Sequence, residues 1–163
     1  EKFLMLEGLA ARITPFASQN EKVDTQRMYD NFMKKFRFGN VADPKVYIDQ
    51  TIMRMCLTHR MRMVQLAAQL SKEGRKKEAL EVLNKCEKVF PAQQVPYDFF
   101  SLGFTPDGSQ FLMPQLYHEL GRDADARRIL VAVAQNTTQY INWASTLSES
   151  RLASYGRRYK CCK

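Results

Sequence analysis

The residues whose types could support catalysis are few, and their spacing forms no recognisable set. Histidine occurs only at His59 and His118, and both lie within helical patterns. No nucleophile elbow, Walker A, zinc-protease or dinucleotide-binding pattern occurs. Asp24 and Asp30 could act as paired carboxylates only if both faced one cleft, and helix capping and solvation explain them better. We therefore predict no catalytic and no cofactor-binding residue.

The four cysteines predict no metal site either. Cys56 and Cys86 occupy apolar positions of helical patterns, where a free thiol packs as a small hydrophobic group. Cys161 and Cys162 are adjacent at the C-terminus, and the chain has no C-x-x-C pair. The positions of the cysteines do not indicate whether the protein resides in an oxidising or a reducing compartment. Asn136 begins a formal glycosylation acceptor, but it lies within a helical pattern and is interpreted as coincidental.

The composition describes a folded, positively charged chain. Apolar residues make up 45% of 163 residues, which is enough for one hydrophobic core. Twenty-five Lys and Arg against 17 Asp and Glu give +8, which suits nucleic acid, anionic lipid headgroups or an acidic protein. No apolar run approaches the roughly 18 to 20 residues of a membrane span. Because the chain begins at Glu1 rather than methionine, we expect a fragment or a processed product.

The clearest organisation is a pair of helices between residues 51 and 91. Apolar residues recur at spacings of three and four from Thr51, which predicts an amphipathic helix. Gly74 supplies the left-handed conformation that ends this helix, and a second helix runs from about Lys76 until Pro91 stops it. The predicted inward positions of the first helix are Ile52, Met55, Cys56, His59, Met63, Leu66, Ala67 and Leu70. Those of the second are Ala79, Leu80, Leu83, Cys86 and Phe90.

The same pattern recurs between residues 110 and 139. A helix is predicted over residues 110–120, in which Pro114 is tolerated if it lies in the first turn. Gly121 makes the turn, and Asp123 is expected to cap the next helix. The predicted inward positions of that helix are Ala126, Ile129, Leu130 and Val133. A further helix is predicted at about 140–158, either separate from its predecessor near Asn142 or continuous with it, with apolar positions Tyr140, Trp143, Ala144, Leu147, Leu152 and Tyr155.

These helix pairs resemble tetratricopeptide repeats, in which glycine permits the chain reversal and alanine lets the paired helices approach. The first pair supplies Leu66, Gly74, Ala79, Leu83 and Pro91. The second supplies Tyr117, Gly121, Ala126 and Leu130. The two turn glycines lie 47 residues apart rather than about 34, so we interpret residues 92–109 as an inserted loop. The predicted fold is mainly α: tetratricopeptide-like antiparallel helix pairs, an α-solenoid fragment, over residues 51–163.

Residues 1–50 are predicted to form an irregular, partly extended N-terminal cap. Short extended pieces are predicted at residues 3–6 and 12–16. Asp24 is expected to cap a helix that continues to about Phe36. Because a helical array must have its end covered, we expect this segment to pack against the first helix pair.

Two sets of residues are the candidate partner-binding surface. Two methionines of the first helix are expected to point away from its core beside three arginines, and flexible methionine side chains form adaptable binding surfaces. The inserted loop adds aromatic rings that must be buried somewhere. The candidate residues are Met53, Arg54, Arg60, Met61, Arg62, Tyr97, Phe99 and Phe100.

A series of collinear segments resembles one family of membrane proteins. The segments are residues 6–12, 23–25, 28–31, 36–41, 43–47, 54–55, 66–91 and 95–97. Their order and content resemble the C-terminal soluble region of multi-spanning membrane proteins common in Bacteroidetes. That family is related to the eukaryotic transmembrane protein 260, a protein O-mannosyltransferase. The resemblance extends to about Gln139, and the stretch from Tyr140 matches less clearly.

This resemblance implies that the parent protein is a glycosyltransferase of the mannosyltransferase superfamily, dependent on a lipid-linked sugar. Its catalytic acidic residue would lie near the membrane, outside this chain. The chain would be a non-catalytic domain without a cofactor on the periplasmic side of the inner membrane. Its expected partners are its own membrane domain and the acceptor proteins that it recruits or positions.

The charge supports an alternative, a free-standing basic module that binds nucleic acid or anionic surfaces. Residues 54–85 contain eight basic and three acidic residues, and residues 151–163 contain five basic and no acidic ones. Aromatic residues are not interleaved with these cations as stacking platforms would be, which disfavours nucleic acid. Contact with anionic lipid headgroups is compatible with the same cations.

Overall fold

The computed structural model describes residues 3–15, 23–97 and 109–151. These residues are mainly helical, which confirms the predicted fold class at that level, and a small two-stranded sheet lies near the N-terminus. The contacts divide the chain into two compact units, Glu1–Val95 and Pro96–Lys163. The elements are β1 (Leu4–Leu6), β2 (Ala11–Ile13), α1 (Thr25–Asp30), a π-helical turn (Asn31–Lys35), α2 (Gln50–Lys72), α3 (Lys76–Val89), α4 (Ser109–Glu119) and α5 (Asp123–Ser145).

In the first unit, α2 and α3 pack against each other and bury their facing sides. Asp49 caps α2, because its carboxylate accepts a hydrogen bond from the backbone N–H of Ile52 at 2.7 Å. Leu80, predicted to face inward, is only half-buried. The buried residues are Cys56, Arg60, Met63, Val64, Leu66, Ala67 and Leu70 in α2, and Ala79, Val82, Leu83 and Cys86 in α3.

The turns within both helix pairs have the same geometry. Gly74 has φ +80°, its N–H bonds the Ser71 carbonyl at 3.0 Å, and the Arg75 N–H bonds the Leu70 carbonyl at 2.9 Å. This pair of bonds is the Schellman arrangement, which requires a left-handed residue after the helix. Gly121 has φ +75°, and the end of α4 repeats the arrangement: the Gly121 N–H bonds the His118 carbonyl and the Arg122 N–H bonds the Tyr117 carbonyl. Gly74 therefore has the predicted left-handed conformation, and Gly121 makes the predicted turn.

Replacement of Gly74 by alanine tests this geometry. We expect Gly74→Ala to lower the free energy of unfolding by about 1 kcal/mol, because a Cβ destabilises the left-handed conformation. An added Cβ would meet no heavy atom within 4 Å, so the loss measures backbone strain and not overlap. Denaturant titration would measure it, and Gly74→Asn should lose less because asparagine tolerates this region. Equal stability of the alanine variant and the wild type would contradict the assigned turn.

The N-terminal segment is anchored to the α2–α3 pair at several points. The Thr25 hydroxyl donates to Glu73 Oε2 at 3.2 Å, close to the turn. The Tyr29 hydroxyl donates to Glu81 Oε2 at 2.6 Å, and this bond raises the pKa of Tyr29 to about 12. The rings of Phe38 and Phe90 meet edge to face at 5.5 Å. The predicted division of the chain at residue 50 stays a prediction, but its first part does contact the first helix pair.

Within that segment, strands and helix lie close to their predicted positions. β1 and β2 pair antiparallel, with Met5 opposite Arg12. Asp24 caps α1, since its carboxylate accepts from the Arg27 N–H at 3.0 Å. The predicted single helix instead ends in the π-helical turn. Asn31 at the start of this turn donates its side-chain N–H to the Glu7 carbonyl at 2.7 Å, which ties the hairpin to the helix.

The second unit departs from the predictions at three residues. Pro114 is the sixth residue of α4, so it does not lie in the first turn as predicted. Asp123 is the first residue of α5 and not its cap, although its charge still suits the helix N-terminus. Leu130, predicted to be buried, is 45% exposed. Ile129 and Val133 occupy the inner face, and Leu130 is rotated about 100° from Ile129 around the helix.

α5 runs without interruption from Asp123 to Ser145. The chain contains no proline or glycine between those residues, which explains why the helix continues through Asn142. Ala144 is buried, as predicted, whereas Trp143 is 44% exposed. The predicted helical positions Leu152 and Tyr155, and Cys161 and Cys162, lie outside the described residues.

Candidate functional site

The solvent-facing side of α2 holds several of the residues predicted to bind a partner. We define the α2 outer face as Arg54, Thr58, Met61, Arg62 and Gln65, which recur at spacings of three and four. Arg54 and Thr58 are exposed, and the other three are half-buried. Met53 is half-buried as well, at the edge of this face. The face therefore presents a mixture of arginine, amide and methionine groups.

Arg62 has an incompletely bonded guanidinium on this face. Its Nη1 donates to the Gln65 side-chain carbonyl at 3.0 Å. Its Nε is buried and has no hydrogen-bond partner in the part of the chain that the structure describes. A buried donor without an acceptor is costly, by about 1 to 3 kcal/mol.

Arg60 does not belong to the partner surface, and its assignment there was wrong. The residue is 7% exposed. Its Nη2 donates to the carbonyls of Phe90 and Val95, the first of them at 2.8 Å. These carbonyls lie in the segment that follows α3, where the helix can no longer supply hydrogen bonds. Arg60 therefore anchors the end of α3 to α2.

The two described cysteines lie in the same core. Cys86 is fully buried, and burial raises its pKa to about 12. Burial also raises the pKa of Cys56, against the opposing effect of the nearby Arg60 charge. Nucleophilic chemistry needs the thiolate, so both thiols are unreactive in the folded chain. Their role is packing, as the apolar spacing predicted.

The Cys86 thiol gives the stability of the first unit a dependence on alkaline pH. Its pKa is 9.0 in a solvated thiol and about 12 in the fold, so between these values the unfolded chain releases a proton that the folded chain keeps. Unfolding is then favoured as pH rises above 9, by up to about 1.4 kcal/mol per pH unit. Cys86→Ala should show a shallower fall of unfolding free energy than the wild type in denaturant titrations above pH 9. Equal slopes would contradict the assigned burial.

Met55 and Met63 have different environments, although both were predicted to be buried. Met63 is fully buried, whereas Met55 is 56% exposed and Ile52 is 41% exposed. Arg60 bonds to Phe90 just past the end of α3, so the ten residues of α2 before Arg60 extend beyond that end. Ile52 and Met55 lie in this extension and are exposed, whereas Cys56 within it is still buried. The sequence spacing alone could not reveal this exposed apolar end, because it depends on the unequal lengths of the two helices.

The aromatic part of the candidate surface is described at one residue only. Tyr97 belongs to the second unit and is half-buried. Its hydroxyl accepts a hydrogen bond from Arg128 Nη1 at 3.3 Å. Phe99 and Phe100 lie outside the described residues.

Both histidines have local structural contacts. The His59 ring lies 5.9 Å from Phe38 and 6.1 Å from Phe90, within an aromatic cluster that also contains Phe32 and Phe36. His118 lies in the last turn of α4, and its Nδ1 is 2.5 Å from Asp123 Oδ1. Both side chains of this second pair are 75% exposed. Solvent therefore screens the interaction, which contributes little to stability.

A shallow groove on α5 was not predicted from the sequence. Its described lining comes from one side of that helix: Asp123, Ala124, Arg127, Arg128, Val131, Ala132 and Gln135. Arg128 is already engaged with Tyr97 and Asp125. Because one helix supplies all of this lining, the groove alone defines no enclosed ligand site.

Residues 3–15, 23–97 and 109–151 indicate neither a metal centre nor a membrane span. These residues contain no group of three or more His, Cys, Asp or Glu side chains that could hold a metal ion. Within the same ranges, no helix combines the length and apolarity needed to cross a membrane.

Comparison with known proteins identifies no relative of this chain. No protein-family model, curated protein or solved structure matches the chain.

Proposed function

We propose that this chain is a non-catalytic helical-repeat domain that binds protein through the α2 outer face. In this proposal it is the periplasmic domain of a membrane-embedded, glycosyltransferase-like protein and positions acceptor proteins for sugar transfer. The assignment to a membrane parent protein rests on the family resemblance of the eight segments, from residues 6–12 through residues 95–97. The binding role rests on the side chains of α2.

The repeat character is supported by burial at the positions that a tetratricopeptide motif requires. Leu66, Ala79 and Leu83 are completely buried. Gly74 has the left-handed backbone that the reversal needs. Pro91 follows α3 directly after Phe90, which caps it. The second pair supports the proposal less, since Leu130 is exposed.

The single observation that supports the binding role is the composition of the exposed part of α2. Arg54 and Met55 are exposed side by side, with Met55 56% accessible. Met61 and the incompletely bonded Arg62 follow two turns later. Arginine and methionine are enriched where proteins bind one another, and exposed apolar side chains beside cations suit an acidic, partly apolar segment.

Site-directed photo-crosslinking would test the surface. A photoreactive amino acid at position 54, 58 or 61 should crosslink an acceptor protein. The same group at positions 77 or 84, which are exposed on α3, is the matched control and should not. Arg54→Glu should abolish crosslinking from position 58, because it reverses a charge that would attract an acidic segment. Equal yields from the two helices would contradict the α2 outer face as the binding surface.

The role in sugar transfer needs a separate measurement on the parent protein. Removal of this chain should slow transfer to a folded acceptor protein by at least about tenfold, a loss of about 1.4 kcal/mol in binding. Transfer to a short peptide acceptor should not change, because a peptide reaches the catalytic site without being positioned. Equal activity toward both acceptors after removal would exclude the positioning role.

A further inference from the structure

The segment from Tyr29 to Phe38 runs beside α3 in the same chain direction and contacts it at three successive points. Tyr29 bonds to Glu81 at 2.6 Å, Lys85 donates to the Met33 carbonyl at 2.9 Å, and the Phe38 ring packs on Phe90 at 5.5 Å. In each contact the partners are 52 residues apart in sequence. The chain from Tyr29 to Phe38 therefore lies alongside the C-terminal half of α3.

This alignment brings together two basic stretches that are distant in the sequence. We define the basic strip as Lys34, Lys35, Arg37, Lys85 and Lys88. Residues 31–42 contain no acidic residue, and residues 82–90 contain only Glu87. All members of the strip except the half-buried Lys85 are exposed. The strip therefore concentrates positive charge on one side of the first unit.

The acidic groups around the strip compensate only part of this charge. Asp30 pairs with Lys34 at 2.6 Å, and this bond holds the pKa of Asp30 below its usual value. Glu81 accepts the Tyr29 hydrogen bond, and the half-buried Glu87 precedes Lys88 in α3. Among the residues that the structure describes, Lys35, Arg37 and Lys88 take part in no ion pair, and all three side chains are exposed. These three cations are the strongest source of attraction for a negatively charged partner.

The chemistry of the strip favours a lipid surface over a nucleic acid. The aromatic rings interleaved with its cations are not available for base stacking. Phe32 is fully buried, and Phe36 and Phe38 are half-buried in the ring cluster. Four of the five cations are lysines, which act as point charges toward a diffuse negative surface, whereas arginine is preferred for bidentate phosphate recognition.

The strip also lacks what a protein partner would need. Specific protein interfaces are centred on buried apolar or aromatic anchors, and the exposed large apolar residues of the described chain lie outside the strip. Adsorption to anionic lipid needs only several Lys and Arg side chains near the surface, each of which strengthens binding about fivefold. We propose that the basic strip docks the first unit onto an anionic lipid surface.

Vesicle co-sedimentation of the complete chain tests this proposal. The probes are phosphatidylcholine vesicles with and without phosphatidylglycerol. Binding should require phosphatidylglycerol and should weaken strongly between about 50 and about 200 mM salt, because screening shortens the reach of the cations. The triple variant K35A/R37A/K88A should lower the association constant on the order of 100-fold.

A matched variant separates the strip from net charge. K72A/K76A/R127A removes three other exposed cations, so both variants carry three charges fewer than the wild-type +8. The control variant should retain most of the binding, and circular dichroism should show the same helical content in all three proteins. Equal losses in the two variants would assign binding to overall charge and overturn the proposal.

Two further outcomes would also overturn it. One is the absence of binding to phosphatidylglycerol vesicles at low salt. The other is tighter binding of a mixed-sequence DNA duplex than of the vesicles, lost in K35A/R37A/K88A, which would make the strip a nucleic-acid surface. The crosslinking test of the α2 outer face is independent of all these results, because it uses different residues.

Discussion

Arg60→Met is expected to lower the free energy of unfolding of the first unit by about 3 kcal/mol. Methionine fills a similar volume but cannot donate to the carbonyls of Phe90 and Val95, which Arg60 Nη2 now bonds. A buried polar group left without its partner costs about 1 to 3 kcal/mol. Two carbonyls lose their donor at once, so the effect exceeds that of an ordinary surface substitution.

Hydrogen exchange locates the effect of this substitution, and denaturant titration measures its size. The amide of Val95 donates to the Pro91 carbonyl at 2.9 Å, and its exchange should accelerate in Arg60→Met because the segment loses its anchor to α2. Arg54→Met is the matched control, since Arg54 is exposed, and should change stability by less than about 0.5 kcal/mol. If the two variants lost equal stability, Arg60 would not anchor the end of α3.

Leu83→Ala and Leu130→Ala are expected to differ strongly, although both leucines occupy the same position of the predicted repeat. Leu83 is completely buried, and its truncation should cost about 3 kcal/mol through lost apolar contact and the cavity left behind. Leu130 is 45% exposed. Its truncation should cost less than about 1 kcal/mol, because water already contacts much of the side chain.

The two leucine variants can be compared by denaturant titration followed by circular dichroism. Trp143 fluorescence reports separately on the second unit, which contains this single tryptophan. Similar losses from both substitutions would mean that the second pair buries its leucine as the first does, and would contradict the exposed position of Leu130.

Local signals in the sequence predicted the elements of the first unit well. The helix after Thr51 and the helix after Lys76 lie where apolar spacing placed them. Asp24 caps its helix because a short carboxylate reaches the free N–H groups of the first turn. Gly74 ends α2 because a left-handed backbone favours glycine. Each of these features depends on a few consecutive residues, which is why the sequence suffices for them.

The candidate site was predicted only in part, because exposure depends on what each helix packs against. Apolar spacing assigned Met55 and Met63 to the same side of α2, yet α3 is too short to cover Met55. Arg60 was expected on the surface because it lies beside Met53 and Met61, which were predicted to point away from the core. It is buried because Phe90 and Val95 supply acceptors that lie 30 and 35 residues later in the sequence.

Several features can be read directly from the sequence: helical spacing, capping carboxylates, turn glycines, packing thiols and an excess of cations. The sequence offered no set of residues for catalysis. Tertiary structure alone decided which cations anchor the fold and which form the basic strip. The alignment of residues 29–38 with residues 81–90 places Lys35 and Arg37 beside Lys88, an arrangement that no local pattern encodes. The physical reason is that the burial of a side chain and the charge around it depend on residues that are close in the fold but distant in the sequence.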